Sequence, residues 1–242
     1  MTVDTGRVRA IFRKELREYL RNRQMVVSMA VLPVFFSVYP AIQIFALPSS
    51  VASDLAHKQP LIYMLGIPAI VPSVIAAYSV AGERQQGTLE PVLTTPVRAD
   101  EFLLGKAAAV LLPSLAVAYG VFGLFVVAIE VFSQPPVAAA VLRGPVVAGQ
   151  LVFTPLIAGL SIWAGIAIST RSSDPRTATQ LGALASFPLI AVTTTAAVGG
   201  FHVTPRIALV FAVLLVLLDC LGWRVVAPLV DRERLVTGAK PS

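Results

Sequence analysis

Scanning the chain for apolar stretches of about 20 residues, the length that crosses roughly 30 Å of hydrocarbon, finds six, at 25–47, 61–80, 107–132, 146–168, 178–198 and 207–223. The pattern predicts an all-α membrane protein with six transmembrane helices, read as a single transmembrane domain over 1–242. Ahead of the first run, in 1–24, the period changes. Val8, Ile11, Phe12, Leu16, Tyr19 and Leu20 recur at spacings of three and four, while Arg9, Arg13, Lys14, Arg17, Glu18 and Arg21 take the other faces. This is an amphipathic helix, expected to lie in the membrane interface with its cations toward anionic headgroups. Proline inside the runs, as at Pro33, Pro72, Pro113, Pro155 and Pro188, is tolerated where neighbouring helices satisfy the freed carbonyls.

Composition sharpens the class. Of the 242 residues 56% are hydrophobic and 13% charged, where a soluble globule carries about 25% charged residues. A cytosolic enzyme, a disulfide-built secreted scaffold and a disordered tail are set aside, and Cys220, the one cysteine, has no partner within the chain. With six spans the termini share a side. All but three of the 19 lysines and arginines (Lys58, Arg143 and Arg206) then fall with the termini and with the connections after the second and fourth spans. By the positive-inside rule that side is cytoplasmic, in the cell inner (plasma) membrane. The net charge of +6 is thereby accounted for as topology, and no nucleic-acid partner is called for.

The polar connection 81–106 between the second and third spans reads GERQQGTLEPVLTTPVRADEFLLGK from Gly82 to Lys106. Gly87 suits a left-handed cap ending an extension of the second span. Thr88 then caps a short helix in which Glu90 favours the N-terminal dipole. Pro91 is harmless in the first turn, and Pro96 stops the segment. About two turns remain, with Leu89, Val92 and Leu93 on one side. A helix that short is unstable alone in water and has to dock on something.

This connection resembles that of the permease subunits of ATP-binding-cassette exporters of type 2. The likeness extends to the layout of the whole chain: the FRKELREYLRNR segment, six spans, the E-R-x-x-G-T-L-E-x-x-L-x-T-P loop followed by L-L-G-K, and a terminal DRERLVTG. The resemblance implies that the loop carries a coupling helix fitting a cleft on a separate ATPase subunit, with Glu83, Arg84, Gly87, Thr88, Leu89, Glu90, Leu93, Thr95 and Pro96 as the coupling positions. It implies ATP and Mg in that partner, and a second permease copy or paralogue beside this chain in the lipid membrane. Two departures stand out. Arg98 replaces the Ser or Asn that often caps the third span, so Asp100 is expected to take the cap. The connection 199–205 is too short for the outer element found in many relatives, so outer closure is expected from 133–145 or from the span ends.

The chain's own chemistry is sparse. Gly105-Lys106 is followed by Ala107 and lacks the earlier glycine of a phosphate-binding loop, so no cofactor is expected on this chain. His57 and His202 have no metal-ligand neighbours in sequence, and no G-x-S-x-G elbow occurs; no catalytic or metal residue is expected, and the chain is not read as an enzyme. The intramembrane polar candidates are Asp219, Glu130 and Gln150. For Asp219 an ion pair with Arg224 competes with a role toward substrate or proton, Glu130 is expected at the interface, and Gln150 and Thr193 to Thr195 are expected to hydrogen-bond between helices. The expected activity is export of an amphipathic or hydrophobic, drug-like or lipid-like substrate by alternating access, since the small outer connections leave no room for a polar-substrate receptor. The alternatives are an ion-coupled secondary transporter, which the lack of an internal repeat disfavours, and a non-transporting membrane anchor for an ATPase.

Overall fold

The computed structural model describes residues 4–46, 54–55, 58–87, 98–201 and 203–230. It is all-α, with no strand among them. In chain order the helices are α1 (Thr5–Arg21), α2 (Arg23–Ala41, continued by a π turn at Ile42–Ala46), α3 (Gly66–Gln86, preceded by a 3-10 segment at Pro60–Leu65) and α4 (Ala99–Phe132). There follow a short α5 (Pro135–Val141), α6 (Gly144–Arg171), α7 (Pro175–Ala185), α8 (Phe187–Ala197) and α9 (Pro205–Val226, ending in a 3-10 turn at Ala227–Val230). Six helical stretches are long and apolar enough to cross a membrane: Met25–Ala46, Pro60–Gln86, Ala99–Phe132, Gly144–Arg171, Pro175–Ala197 and Pro205–Leu229.

The six apolar runs all reappear, but the helices outrun them. The second continues six residues past its run, to Gln86, and the third starts at Ala99, eight residues before its run does. Most of the expected 81–106 loop is therefore helix, because hydrogen bonds propagate a helix through polar residues once a buried apolar segment has nucleated it. The fifth run is two helices meeting at Ser186. Pro188 supplies no N–H to the turn before it, and the Ser186 hydroxyl donates to the Ala69 carbonyl (2.9 Å) and the Gly182 carbonyl (3.2 Å). Among 133–145, expected as an outer element, Pro135–Val141 forms α5, seated by the buried Val137 and Val141.

The second span is the centre of the bundle. It is 72% buried over its most apolar window, against 17% for the third and 11% for the sixth. Small residues permit this. A Cβ at Gly165 of α6 would lie 2.6 Å from the Ser73 carbonyl and 2.7 Å from the Ala76 side chain, and one at Gly182 of α7 would lie 2.7 Å from the Ala77 side chain. So α3 runs at backbone contact between α6 and α7, the close approach that packs helices where lipid gives no hydrophobic drive. The Ser73 hydroxyl donates to the Gly182 carbonyl across that seam (2.8 Å). Thr193 and Thr195, expected to bond between helices, instead donate to Ile190 and Ala191 carbonyls of their own helix, which removes the cost of a bare hydroxyl in hydrocarbon without a neighbour.

Gly165→Val should overpack this seam and destabilise the fold by about 1–3 kcal/mol, read as a lower thermal midpoint in detergent. Gly120→Ala, on the open side of α4 where nothing lies within 4 Å of the new methyl group, should leave the midpoint unchanged or raise it.

Candidate functional site

At the α1 end of the bundle three helices converge on a buried ammonium. Lys106 in α4 and Glu15 in α1 are each 1% exposed, and Glu83 near the end of α3 is 4% exposed. Lys106 Nζ lies 3.0 Å from Glu15 Oε1 and 2.9 Å from Glu83 Oε2. It donates to the Ser79 carbonyl at 3.1 Å and sits over the Phe102 ring, 4.9 Å from its centroid. Lys14, half-exposed, closes the ring of charge from the α1 side by pairing with Glu83, with Glu15 (3.0 Å) and with Glu18 (3.3 Å). The Tyr19 hydroxyl donates to Glu15 Oε2 (2.9 Å). The buried ammonium thus has two carboxylates at ion-pair distance and a carbonyl to donate to, the kind of compensation without which such a charge is not tolerated.

Electrostatics follow the geometry. Burial alone would raise the Glu15 carboxyl, but Lys106 and Lys14 outweigh it and hold the group at about 2 instead of its usual 4.5. Burial lowers Lys14, and Glu15 and Glu83 more than reverse that, so it stays charged. Burial first and the neighbouring Glu15 second push the Tyr19 phenol up and keep it a donor. Carboxylate oxygens of Glu15, Glu18 and Glu83 lie close enough to share a metal ion, yet lysine ammonium groups already occupy them. A cavity of about 300 Å³, bordered by Glu18, Asn22, Tyr78 and Gln86, opens beside the cluster.

Two further ties frame it. Glu101, buried in the first turn of α4, accepts from the Asp4 N–H (3.0 Å) and the Arg98 N–H (3.1 Å) and faces Arg7 at 3.5 Å. It thus caps α4, in place of the expected Asp100, and fastens the start of α1 to it. Asp100 is one residue too early, since the helix already starts at Ala99 and the N–H to be capped belongs to Arg98. On the opposite side Arg84 donates to the Ser172 carbonyl (2.8 Å) and the Thr170 carbonyl (3.2 Å) at the end of α6, placing a cation where helix carbonyls are unsatisfied. One turn earlier the Val80 and Ala81 N–H groups both donate to Ser169 Oγ (2.9 and 3.0 Å).

Of the residues singled out from sequence, Glu83 and Arg84 occupy this frame, and Gly87 ends α3 in the left-handed conformation (φ 66°, ψ 15°) with its N–H on the Arg84 carbonyl. Thr88, Leu89, Glu90, Leu93, Thr95 and Pro96 lie outside the described residues, as do His57 and His202. The apolar stripe of α1 was read as membrane-facing. It packs instead on α4, with Ile11 seated where a Cβ at Gly105 would come within 2.6 Å of it, and Leu20, counted on the stripe, is exposed. The protein itself offers α1 a complementary surface for the part of the stripe formed by Ile11 and Phe12. Sequence reasoning missed Glu15 and Lys106. The available signal was an acid in register with Ile11, Phe12 and Tyr19, and a lysine at the edge of an apolar run.

The other candidates lie apart from the cluster. Glu130 is exposed at the end of α4, and Gln150 is buried on α6. Asp219 makes no ion pair with Arg224, which is exposed. Its carboxylate lies against Gly159 of α6, and Oδ1 is buried without a hydrogen-bond partner. Five residues along a helix is more than one turn, so the two side chains diverge.

Six helices long and apolar enough to cross a membrane define a multi-pass membrane protein, with a charge-locked polar frame at one end. The family profile described as ABC-2 family transporter protein matches residues 9–206. The chain belongs to that family, and is a transmembrane permease of it. No curated protein sequence matches the chain.

Lys106→Met removes the cation and leaves buried carboxylates facing each other, a loss of about 3–5 kcal/mol. Adding Glu15→Gln, so that Glu83 is the one buried carboxylate Lys14 answers, should recover a measurable part of the thermal midpoint. Because the Glu15 carboxyl is depressed in the fold, its contribution is complete above its ordinary 4.5 and is lost as pH falls toward about 2. Proteolytic release of α1 should rise across that window in the wild type and be flatter in Glu15→Gln.

Proposed function

We propose that this chain is the membrane subunit of an exporter driven by a separate ATPase, which binds ATP and Mg and docks on the connection around Thr88 to Thr95. The observation that carries the reading is the clamping of both feet of that connection. Glu83 and Lys106 join its two ends directly, Arg84 ties the first foot to α6, and Glu101 ties the second to α1. A displacement imposed on a connection with rigid feet passes into α3, the most buried helix, since a close-packed interior transmits strain instead of absorbing it. Coupling residues are then of two kinds. Glu83, Arg84 and Gly87 set the base, and Leu89, Glu90 and Leu93 meet the partner.

The exported substrate is amphipathic or hydrophobic, moved by alternating access. The connections at the end away from α1 are short, α8 to α9 spanning only from Ala197 to Pro205, which leaves little to receive a polar molecule from water. Large apolar side chains stand outward on α4 and α9, among them Leu124, Phe132, Leu209 and Val210, surface suited to lipid and to a second permease. The α1 end, rich in basic residues, faces the cytoplasm together with both termini.

Leu89→Asp tests the docking. A carboxylate forced into an apolar contact is costly, while the spans are untouched, so the permease should insert normally but retain less than a tenth of the co-purified ATPase and of its substrate-stimulated turnover. Undiminished association would end the coupling assignment. Orientation is checked with a cysteine in place of Ser242 in a Cys220→Ala background, which should resist an impermeant thiol reagent in intact cells and react once the cells are opened.

A further inference from the structure

Away from the ion cluster, α6 and α9 run side by side with a groove between them. Aromatic contacts set the register: Phe153 meets Phe211 (ring centroids 5.7 Å apart) and Trp163 meets Trp223 (5.6 Å, edge to face). Alongside these contacts, starting at the level of the phenylalanine pair, lies an apolar groove of about 440 Å³, walled by Val152, Pro155 and Leu156 of α6 and by Val213, Val216 and Leu217 of α9. Its size is that of a small-molecule site. One turn toward the α1 end, before the tryptophans, Asp219 lies against Gly159, whose missing side chain makes the room: a Cβ there would be 2.8 Å from Oδ1. That oxygen is buried and accepts no hydrogen bond, no ion pair to Asp219 occurs among the described residues, and the two ring systems bracket the site.

We propose that this groove binds a cationic amphiphile, its ammonium head at Asp219 beside Trp163 and Trp223 and its hydrocarbon tail along the groove. An unpaired carboxylate in the apolar part of a membrane is costly, and a bound cation removes that cost. Aromatic faces add attraction for an ammonium group with little penalty for excluding water. The walls offer a tail nothing but carbon. A neutral or anionic amphiphile of the same length gains from the walls alone and forfeits the head contact. This rests on the transport reading above and narrows its substrate class to cations.

The chain's two tryptophans lie one turn beyond Gly159 and Asp219, so their fluorescence reports the head end of the site. The probe is a dodecyltrimethylammonium brominated in the tail, with brominated dodecanol as the neutral comparator, added to the permease in phosphatidylcholine vesicles. The expected result is half-quenching by the cation at about tenfold lower membrane concentration in the wild type than in Asp219→Asn, with the alcohol acting alike on both proteins. Val216→Phe, which fills the groove, should weaken quenching by both. If Asp219→Asn does not fold, the wild type alone decides, because tetramethylammonium should relieve quenching by the cation and tert-butanol should not. Equal quenching of wild type and Asp219→Asn, or no relief by tetramethylammonium, would overturn the proposal. ATPase co-purification is measured on the same preparations: retained association without cation preference removes the site and leaves the permease, whereas lost association in the wild type counts against the permease reading itself.

Discussion

A lysine ammonium withdrawn almost wholly from water governs the architecture of the α1 end. Moving such an ion into a low-dielectric interior costs several kcal/mol even after relaxation, and no single helix of this chain could repay that for Lys106. Glu15 comes from α1, Glu83 and the Ser79 carbonyl from α3, so the charge is satisfied only when all three helices are in place. A register error in any one of them strands an ion. The cluster adds little to net stability compared with an apolar plug of the same volume, but it makes the correct junction of α1, α3 and α4 the one without an orphaned charge.

The rest of the bundle obeys a different constraint. Within the apolar zone specificity comes from closeness, and closeness from missing side chains: Gly165 and Gly182 let Ser73, Ala76 and Ala77 of α3 touch neighbouring backbone. Serine hydroxyls then cross the seams, Ser73 to Gly182, Ser186 to Ala69, and Ser169 to the Val80 and Ala81 N–H groups. These bonds lie along α3, so the helix nearest the polar connection is also the one most firmly held by the spans around it.

Much of this was open to reading in the sequence and some was not, for definite reasons. Hydrophobic length is additive along the chain, so six spans could be counted, and Gly87 announced its left-handed cap because few other residues adopt that backbone cheaply. Helix ends were misjudged because apolarity marks the membrane, whereas hydrogen bonding carries α3 to Gln86 and α4 back to Ala99. Thr193 and Thr195 went to their own backbone because the i−3 and i−4 carbonyls are always within reach and a neighbouring helix is not. The ion cluster was half-legible. Glu83 and Arg84 drew notice through their place beside the loop, but Glu15 and Lys106 declare themselves only in three dimensions, since a lysine at the edge of an apolar run looks the same whether it snorkels to water or turns inward.

The two ends of the bundle differ in kind, and the difference bears on how force from an ATPase would be used. The α1 end is closed by ion pairs among α1, α3 and α4 and by Arg84 on α6. The opposite end is irregular: α2 relaxes into a π turn at Ile42–Ala46, α3 is entered through a 3-10 segment after Gln59 at φ 45°, α5 is two turns long, and Gly199 turns the chain at φ 82°. Strained or short elements resist bending less than a continuous helix does. On the transport reading, a push entering through the polar connection meets a rigid base and is expressed where the helices are least regular, at the far mouth of the bundle. The break at Ser186 lies between these ends and is bonded to α3 through Ala69, while α7 packs on α3 through Gly182, so both halves of the fifth span are tied to α3. On that reading force would be received at one end and an opening would form at the other, with α3 as the element common to both.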